Sequence, residues 1–265
     1  MEINIVPKFI DEAATPIAKS VGNSLSGIWE LALGNQINLW LKKQEFKHQI
    51  NYEDFINRTK NEINLISEQN LIEPEMHILG PILEASKYAI SSEELRKIFA
   101  KLIASSVNSE TVDLLHPSFI EIVKQLSSSD ALLLSLMEPK ARYPIVAIQL
   151  SEEANSEKGF RLNYSIAFTT LYEHLLDVTN PEEFMKHTIS IDNLIRLGLI
   201  SVDYQNSIAD EDIYSFIENH PAHLEAQKKL IEAQKDGAPF NTVKTIQGIL
   251  KTTHLGKNFF EVCLV

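Results

Sequence analysis

A chain of 265 residues, 44% apolar and 23% charged, has the make-up of a globular protein long enough to bury its own core, as one large domain or two ordinary ones. Its 24 basic and 36 acidic residues leave a net charge of −12, which disfavours loose adhesion to nucleic acid or anionic lipid. The single cysteine, Cys263, excludes an internal disulfide and points to a reducing, cytoplasmic setting; the first residues lack the pattern of a signal peptide, and no apolar run predicts a spanning helix.

In chain order, Thr15 followed by Pro16 reads as an N-cap with proline at the first helical position. Apolar residues then recur every three or four positions, which predicts an amphipathic helix over residues 16–43, weakened or kinked at Gly34. Only Lys19 and Glu30 are charged between Thr15 and Leu41. Ala18, Gly22 and Ser26 form a small-residue row along which another helix can approach closely. With Trp29 and Trp40, that row is a candidate surface for self-association or for peripheral contact with the inner membrane; the charges that flank the segment favour a helix packed inside a bundle. Helix continues or restarts near Asn51, and the basic patch of Lys42, Lys43, Lys47 and His48 reads as a solvated face.

Residues 71–137 hold the densest run of helix signals. Glu73 is biased to extended backbone by Pro74, and Pro74 opens a helix in which Gly80-Pro81 predicts a break or a kink. Ser91 or Ser92 caps the next helix, whose stripe is Leu95, Ile98, Phe99, Leu102 and Ile103. His116 is a turn residue ahead of Pro117, and Pro117 starts a helix through Leu126. Ser128 or Ser129 caps a last helix ending at Met137. Short connections make these helices antiparallel neighbours in a bundle.

Beyond Met137 the texture changes. Residues 143–150 read as a β-branched strand, residues 151–163 as a charged loop around Gly159, and residues 164–178 as a helix with ambiguous aromatics. Pro181 starts one helix, Ser190 caps a second over 191–197, Gly198 ends it in left-handed backbone, and a strand follows. Polar helix broken by Pro221 fills most of 208–234, and the chain closes as strand then helix. Helix, helix ending in L-x-x-L-G-L-I, strand, returning strand and last helix resemble a winged helix-turn-helix, with an unusually long interval of about 40 residues between its two wing strands.

The expected architecture is therefore mainly α. An amphipathic N-terminal region (1–70) leads to a central helical bundle (71–137), then to a small winged-helix-like α+β unit with a helical insertion (138–265).

The central stretch resembles the abortive-infection alpha family of bacterial proteins. The resemblance is carried by Ile72-Glu73-Pro74, the run from Gly80-Pro81 to Ala85, Glu94-Leu95-Arg96 to Leu102, His116-Pro117-Ser118-Phe119 and the run from Ile122 to Ser127. The glycine-bearing helix before it, and the L-G-L-I and T-x-x-G-x-x-F endings after it, fit in order. The resemblance implies a part in bacterial defence against phage, in which an infected cell stops supporting phage growth. It brings no catalytic motif, so Glu73, Pro74, Gly80, Pro81, His116 and Pro117 carry over only as structural landmarks.

Chemistry is sparse. His220 and His223, one helical turn apart near Glu218 and the run Asp210-Glu211-Asp212, have ligand spacing for a divalent ion, but Pro221 lies between them and a solvated acidic helix explains them as well. Glu73, Glu75, Glu84 and Glu94 are carboxylates without demonstrable convergence, and Cys263 sits in an apolar run as inert core. No phosphate loop, nucleophile elbow, HExxH or CxxC is present, and no cofactor is implied. Arg196, Lys251 and Lys257 are the candidate nucleic-acid contacts of the winged-helix-like unit, against a weak basic footprint. The expectation is a non-enzymatic, homo-oligomeric protein acting through protein contacts. Two alternatives stand beside it: a membrane-acting effector using residues 16–41, and a nucleic-acid-binding winged helix.

Overall fold

The computed structural model describes residues 7–10, 15–43, 46–139, 141–152, 164–171 and 181–264. The chain forms two compact units, one from Met1–Leu132 with Asn258–Val265, the other from Leu133–Lys257. Mainly helical structure with a small antiparallel sheet is the outcome, as the composition and periodicity predict.

The first unit begins with α1 (Pro16–Lys43). The Thr15 hydroxyl accepts from the Ala18 N–H at 3.4 Å, so the predicted cap is in place. Helix α2 (Phe46–Asn64) follows, then α3 (Met76–Ala89) and α4 (Glu93–Ser105). Helix α1 packs on α3, α2 on α4, and α3 on both α4 and α5 (Ser118–Lys124). The core of this unit is aromatic at one end: Trp29 lies 4.8 Å from Phe9 and 5.2 Å from Phe55 between ring centroids, and its indole N–H donates to the Tyr52 hydroxyl at 2.8 Å. That bond satisfies two polar groups which burial would otherwise leave costly. In the same unit, Phe119 meets Phe259 edge-on at 5.4 Å.

Several local expectations are corrected. Helix α3 starts at Met76 rather than at Pro74, and Pro81 lies within it without a break. Proline removes one hydrogen bond, to the His77 carbonyl; both residues are exposed, so water can replace the missing donor. Ser92, not Ser91, caps α4, its hydroxyl accepting from the Leu95 N–H at 3.3 Å. Helix α6 (Ser128–Leu136) is capped by Ser127 one residue early, and reciprocally: Asp130 N–H donates to the Ser127 hydroxyl at 3.1 Å while Asp130 accepts from the Ser127 N–H at 2.7 Å.

The second unit is built on four antiparallel strands, β1 (Arg142–Ser151), β2 (Tyr164–Leu171), β3 (Ile200–Asp203) and β4 (Thr242–Thr252), in the order β2-β1-β4-β3. The helix expected from residue 164 is thus a strand over 164–171, and the rest of that expectation lies outside the described residues, as do residues 153–163 of the expected loop. The strand wins because Tyr164, Ile166, Phe168, Thr169 and Thr170 are β-formers that β1 can pair along its length. The two helices expected over 181–197 are one, α7 (Pro181–Arg196), with Ser190 buried in mid-helix, since no glycine or proline stops the chain before Gly198. There the end matches expectation: Gly198 takes φ 73°, its N–H reaches the Ile195 carbonyl, and the Leu199 N–H reaches Leu194 at 3.0 Å. A 3₁₀ segment (Glu211–Ile217) and α8 (Pro221–Lys235) fill the interval before β4. Tyr214, Ile217, Ala222 and Ala226 pack on Val146 and Ile148 of β1. Helix α9 (His254–Cys263) follows β4 and starts close against β3: a Cβ on Gly256 would lie 2.0 Å from the Leu199 carbonyl oxygen.

Candidate functional site

The small-residue row of α1 is engaged from within its own unit. Ala18, Gly22 and Trp29 are buried, and Ser26 is half-buried. The covering piece is the segment 7–10. Ser26 donates to the Pro7 carbonyl at 2.6 Å, Phe9 packs at a tilt against Trp29, and a Cβ on Gly22 would sit 3.1 Å from Ile10 Cβ. Close approach along this row is real, but the approaching chain is residues 7–10. The side chains of Trp40, Lys42 and Lys43 lie outside the described residues.

A second side of α1 carries the unit's clearest electrostatic tie to the central stretch. The hydroxyls of Ser20 and Ser24 both donate to the Glu73 carboxylate, Ser24 at 2.7 Å. These two bonds, Ser20's first, hold Glu73 below the usual carboxylate range. Glu73, a landmark of the central motif, therefore fixes the connector ahead of α3 to α1. The other landmarks are local. Pro74 and Gly80 are half-buried, Pro81 and Pro117 are exposed, and His116 accepts from the Ser118 N–H at 3.1 Å, the turn role its sequence position predicts.

Charged groups at the α2–α4 junction form a connected set. Asp54 accepts from Arg58 at 2.7 Å and from the buried Arg96 at 2.9 Å; Arg96 also donates to the Ile90 carbonyl at 2.6 Å, and Arg58 reaches Glu93 at 3.0 Å. Burial pushes the Asp54 carboxyl up, and the hydrogen bonds from Arg58 and Arg96 outweigh it, leaving Asp54 below its ordinary value. The set is structural: it pins the two helices and satisfies a buried guanidinium.

An open polar cleft of about 400 Å³ lies in the first unit where α2 and α4 end, lined in part by Glu62, Lys101, Glu110 and Glu261. Lys101 pairs with Glu62 at 3.6 Å. Sequence reasoning missed it, because its lining comes from three separate stretches, 62–70, 101–111 and Glu261, and no spacing links them.

In the second unit, the candidate nucleic-acid contacts gather around the α7–β3 turn. Arg196 lies two residues before Gly198 and donates to the Asn193 side chain at 2.7 Å. Lys251 stands opposite Ser201 on one side and Arg142 on the other. Lys257 is one turn along α9 from Thr253, whose N–H donates to the Leu199 carbonyl. All three are exposed, and Asp203 feels the Lys251 charge.

The histidine pair does not assemble as ligands. His220 is buried and caps α8, its Nδ1 accepting from the Ala222 N–H at 3.2 Å, while His223 is half-buried on that helix. Among the described residues no three histidine, cysteine or acidic side chains are placed to hold a metal ion. Cys263 is fully buried, which pushes its thiol up. No helix among the described residues is long and apolar enough to cross a membrane.

The arrangement is that of a mainly helical protein whose perturbed groups join its own elements. The abortive infection alpha family matches over residues 47–263, most of the chain, and the chain belongs to that family. The match begins within α2, so the glycine-bearing α1 lies outside it, whereas both C-terminal endings fall inside. No curated protein matches the chain. A solved structure of an uncharacterized protein from the hydrocarbon-degrading marine bacterium Alcanivorax borkumensis SK2 is 11% identical, covering 59% of this chain and 96% of that one, with a TM-score of 0.36; at that level it carries no structural argument.

Proposed function

We propose that this chain serves abortive infection as a cytoplasmic, non-enzymatic protein that acts through contacts with other proteins and with copies of itself. Family membership over residues 47–263 is the observation that carries the role. The non-enzymatic part is supported by where the titratable groups go. Asp54, Arg58, Arg96 and Glu93 join two helices, Glu73 joins a connector to α1, and Cys263 is sealed in the core. The test is infection of bacteria that express the chain or lack it. Fewer plaques, with the infected culture collapsing at high phage excess, is the expected result. Unchanged plaque numbers against a broad phage panel, or infected cells that grow on through phage excess, overturn it.

A second reading, binding of nucleic acid by a winged-helix-like α7–β3–β4–α9 arrangement, is favoured by the cross-strand pair of Arg142 and Lys251 with Arg196 and Lys257 nearby in the fold. It predicts salt-dependent retardation of duplex DNA or RNA that Lys251→Glu weakens. No retardation at low salt removes it.

A further inference from the structure

The open cleft of the first unit has walls that are fixed to one another. Its volume of about 400 Å³ falls in the range that holds a small organic ligand and far exceeds a bare ion. Lys101 pairs with Glu62 at 3.6 Å, joining α4 to α2, and the Ser105 hydroxyl donates to the Val262 carbonyl at 2.8 Å, joining α4 to α9. The connector ahead of α3 is held to the loop after α4 by Ser109 N–H on the Asn70 carbonyl and Ile72 N–H on the Val107 carbonyl, both at 2.9 Å. A ligand entering the cleft meets a preformed surface, with little ordering entropy left to lose.

Three helices bring their last turns to this cleft: α2 through Glu62, α4 through Ala104 and Ser105, and α9 through Glu261. A helix C-terminus carries partial negative charge and favours a cation, yet none of the three has a basic residue in its last turn. Lys101 is the one basic group among the described lining residues, and Glu62 already engages it. Glu110 and Glu261 are exposed, and among the described residues neither carboxylate meets a donor or a cation. Leu65, Ile66 and Ala104 add apolar surface to the lining, and Leu65 is 79% exposed.

We propose that this cleft binds an organic cation, an ammonium or guanidinium carried on an aliphatic stem. Glu110 and Glu261 supply carboxylates for the charged head, and the three helix ends add to the negative potential around it. Leu65, Ile66 and Ala104 give the stem an apolar surface to lie on. A metal ion is the poorer occupant, because no three histidine, cysteine or acidic side chains among the described residues are placed to hold one. An anion is poorer still, since three carboxylates face a single lysine that is already paired. The same chemistry has two sources, a free diamine or guanidine and the lysine or arginine side chain of a partner protein. The second source would give the proposed protein contacts a place on this unit.

The test is calorimetric titration of the purified full chain at constant ionic strength. The probes are agmatine and a blocked Ala-Leu-Arg-Ala-Ala peptide, with the same peptide carrying citrulline in place of arginine as the neutral control. One-to-one binding with Kd below about 1 mM is expected for at least one probe, and none for the citrulline peptide. Glu110→Gln combined with Glu261→Gln should weaken it about tenfold with unchanged helical circular dichroism, because both side chains are exposed and unpaired. Glu30→Gln combined with Glu121→Gln removes the same charge elsewhere on the surface and should leave affinity unchanged. Binding of agmatine assigns the cleft to a free cation, and binding of the peptide alone assigns it to a partner's side chain. The proposal is overturned if neither probe binds up to about 10 mM, if citrulline serves as well as arginine, or if the two double variants behave alike. None of these readouts uses phage, so the cleft can fail while the abortive-infection role stands, and the reverse.

Discussion

Gly22 and Gly27 lie five residues apart on one helix and do opposite things. At Gly22 the missing side chain is occupied: Ile10 fills the space, Ser26 holds the Pro7 carbonyl, and Phe9 closes over Trp29. At Gly27 the space is empty and opens outward beside an exposed leucine. The lesson is that a small-residue row identifies close approach without saying what approaches. The inward row of α1 is met by its own chain, and the space outside Gly27 is left open.

The largest effect that sharpens this contrast belongs to the inward side. Trp29→Ala removes a fully buried ring and leaves the Tyr52 hydroxyl without its indole partner, and should cost about 3–5 kcal/mol in urea denaturation. A loss below about 1 kcal/mol would mean that the 7–10 segment is not packed as described.

Next is the charged junction away from α1. Asp54→Asn leaves the buried Arg96 without a carboxylate and should cost about 2–3 kcal/mol at neutral pH. Asp54 titrates lower folded than unfolded, so its contribution is complete above the unfolded value near 3.9 and is lost as pH falls through the lower folded value. The stability difference between wild type and Asp54→Asn should therefore shrink on acidification below about pH 4. A difference that stays constant would show that Asp54 is not tied to the arginines.

The two glycines give the smaller and most diagnostic pair. Gly22→Leu must displace Ile10 and should destabilise by about 1–3 kcal/mol. Gly27→Ala fills open space on an exposed helix and should stabilise the chain by about 0.5–1 kcal/mol through helix propensity. Equal effects at the two positions would dissolve the comparison.

Much of the fold was legible because local signals agreed with burial. The caps at Thr15 and Ser92, the left-handed stop at Gly198 and the stripe of α4 were all readable from spacing. The misses have physical causes. Residues 164–171 follow β1 into the sheet because cross-strand pairing outweighs a weak helical pattern, and Ser190 stays helical because Ile191 and Leu194 are buried beside it. The candidate surfaces were half readable. Ala18, Gly22 and Ser26 announced a close contact, yet residues 7–10 as its occupant depend on a chain reversal that no periodicity encodes. The exposure of Leu31 passed unnoticed because the apolar periodicity of residues 16–43 counts it with the core.

The most direct measurement is phage plating on cells that express wild type, Leu31→Glu or Arg196→Glu at matched levels. If the chain acts in abortive infection through protein contacts made by α1, where Leu31 is exposed, Leu31→Glu should plate phage as well as cells lacking the protein, while Arg196→Glu should restrict them as wild type does. Restriction that survives Leu31→Glu and is lost with Arg196→Glu would contradict this account and place the activity in the second unit.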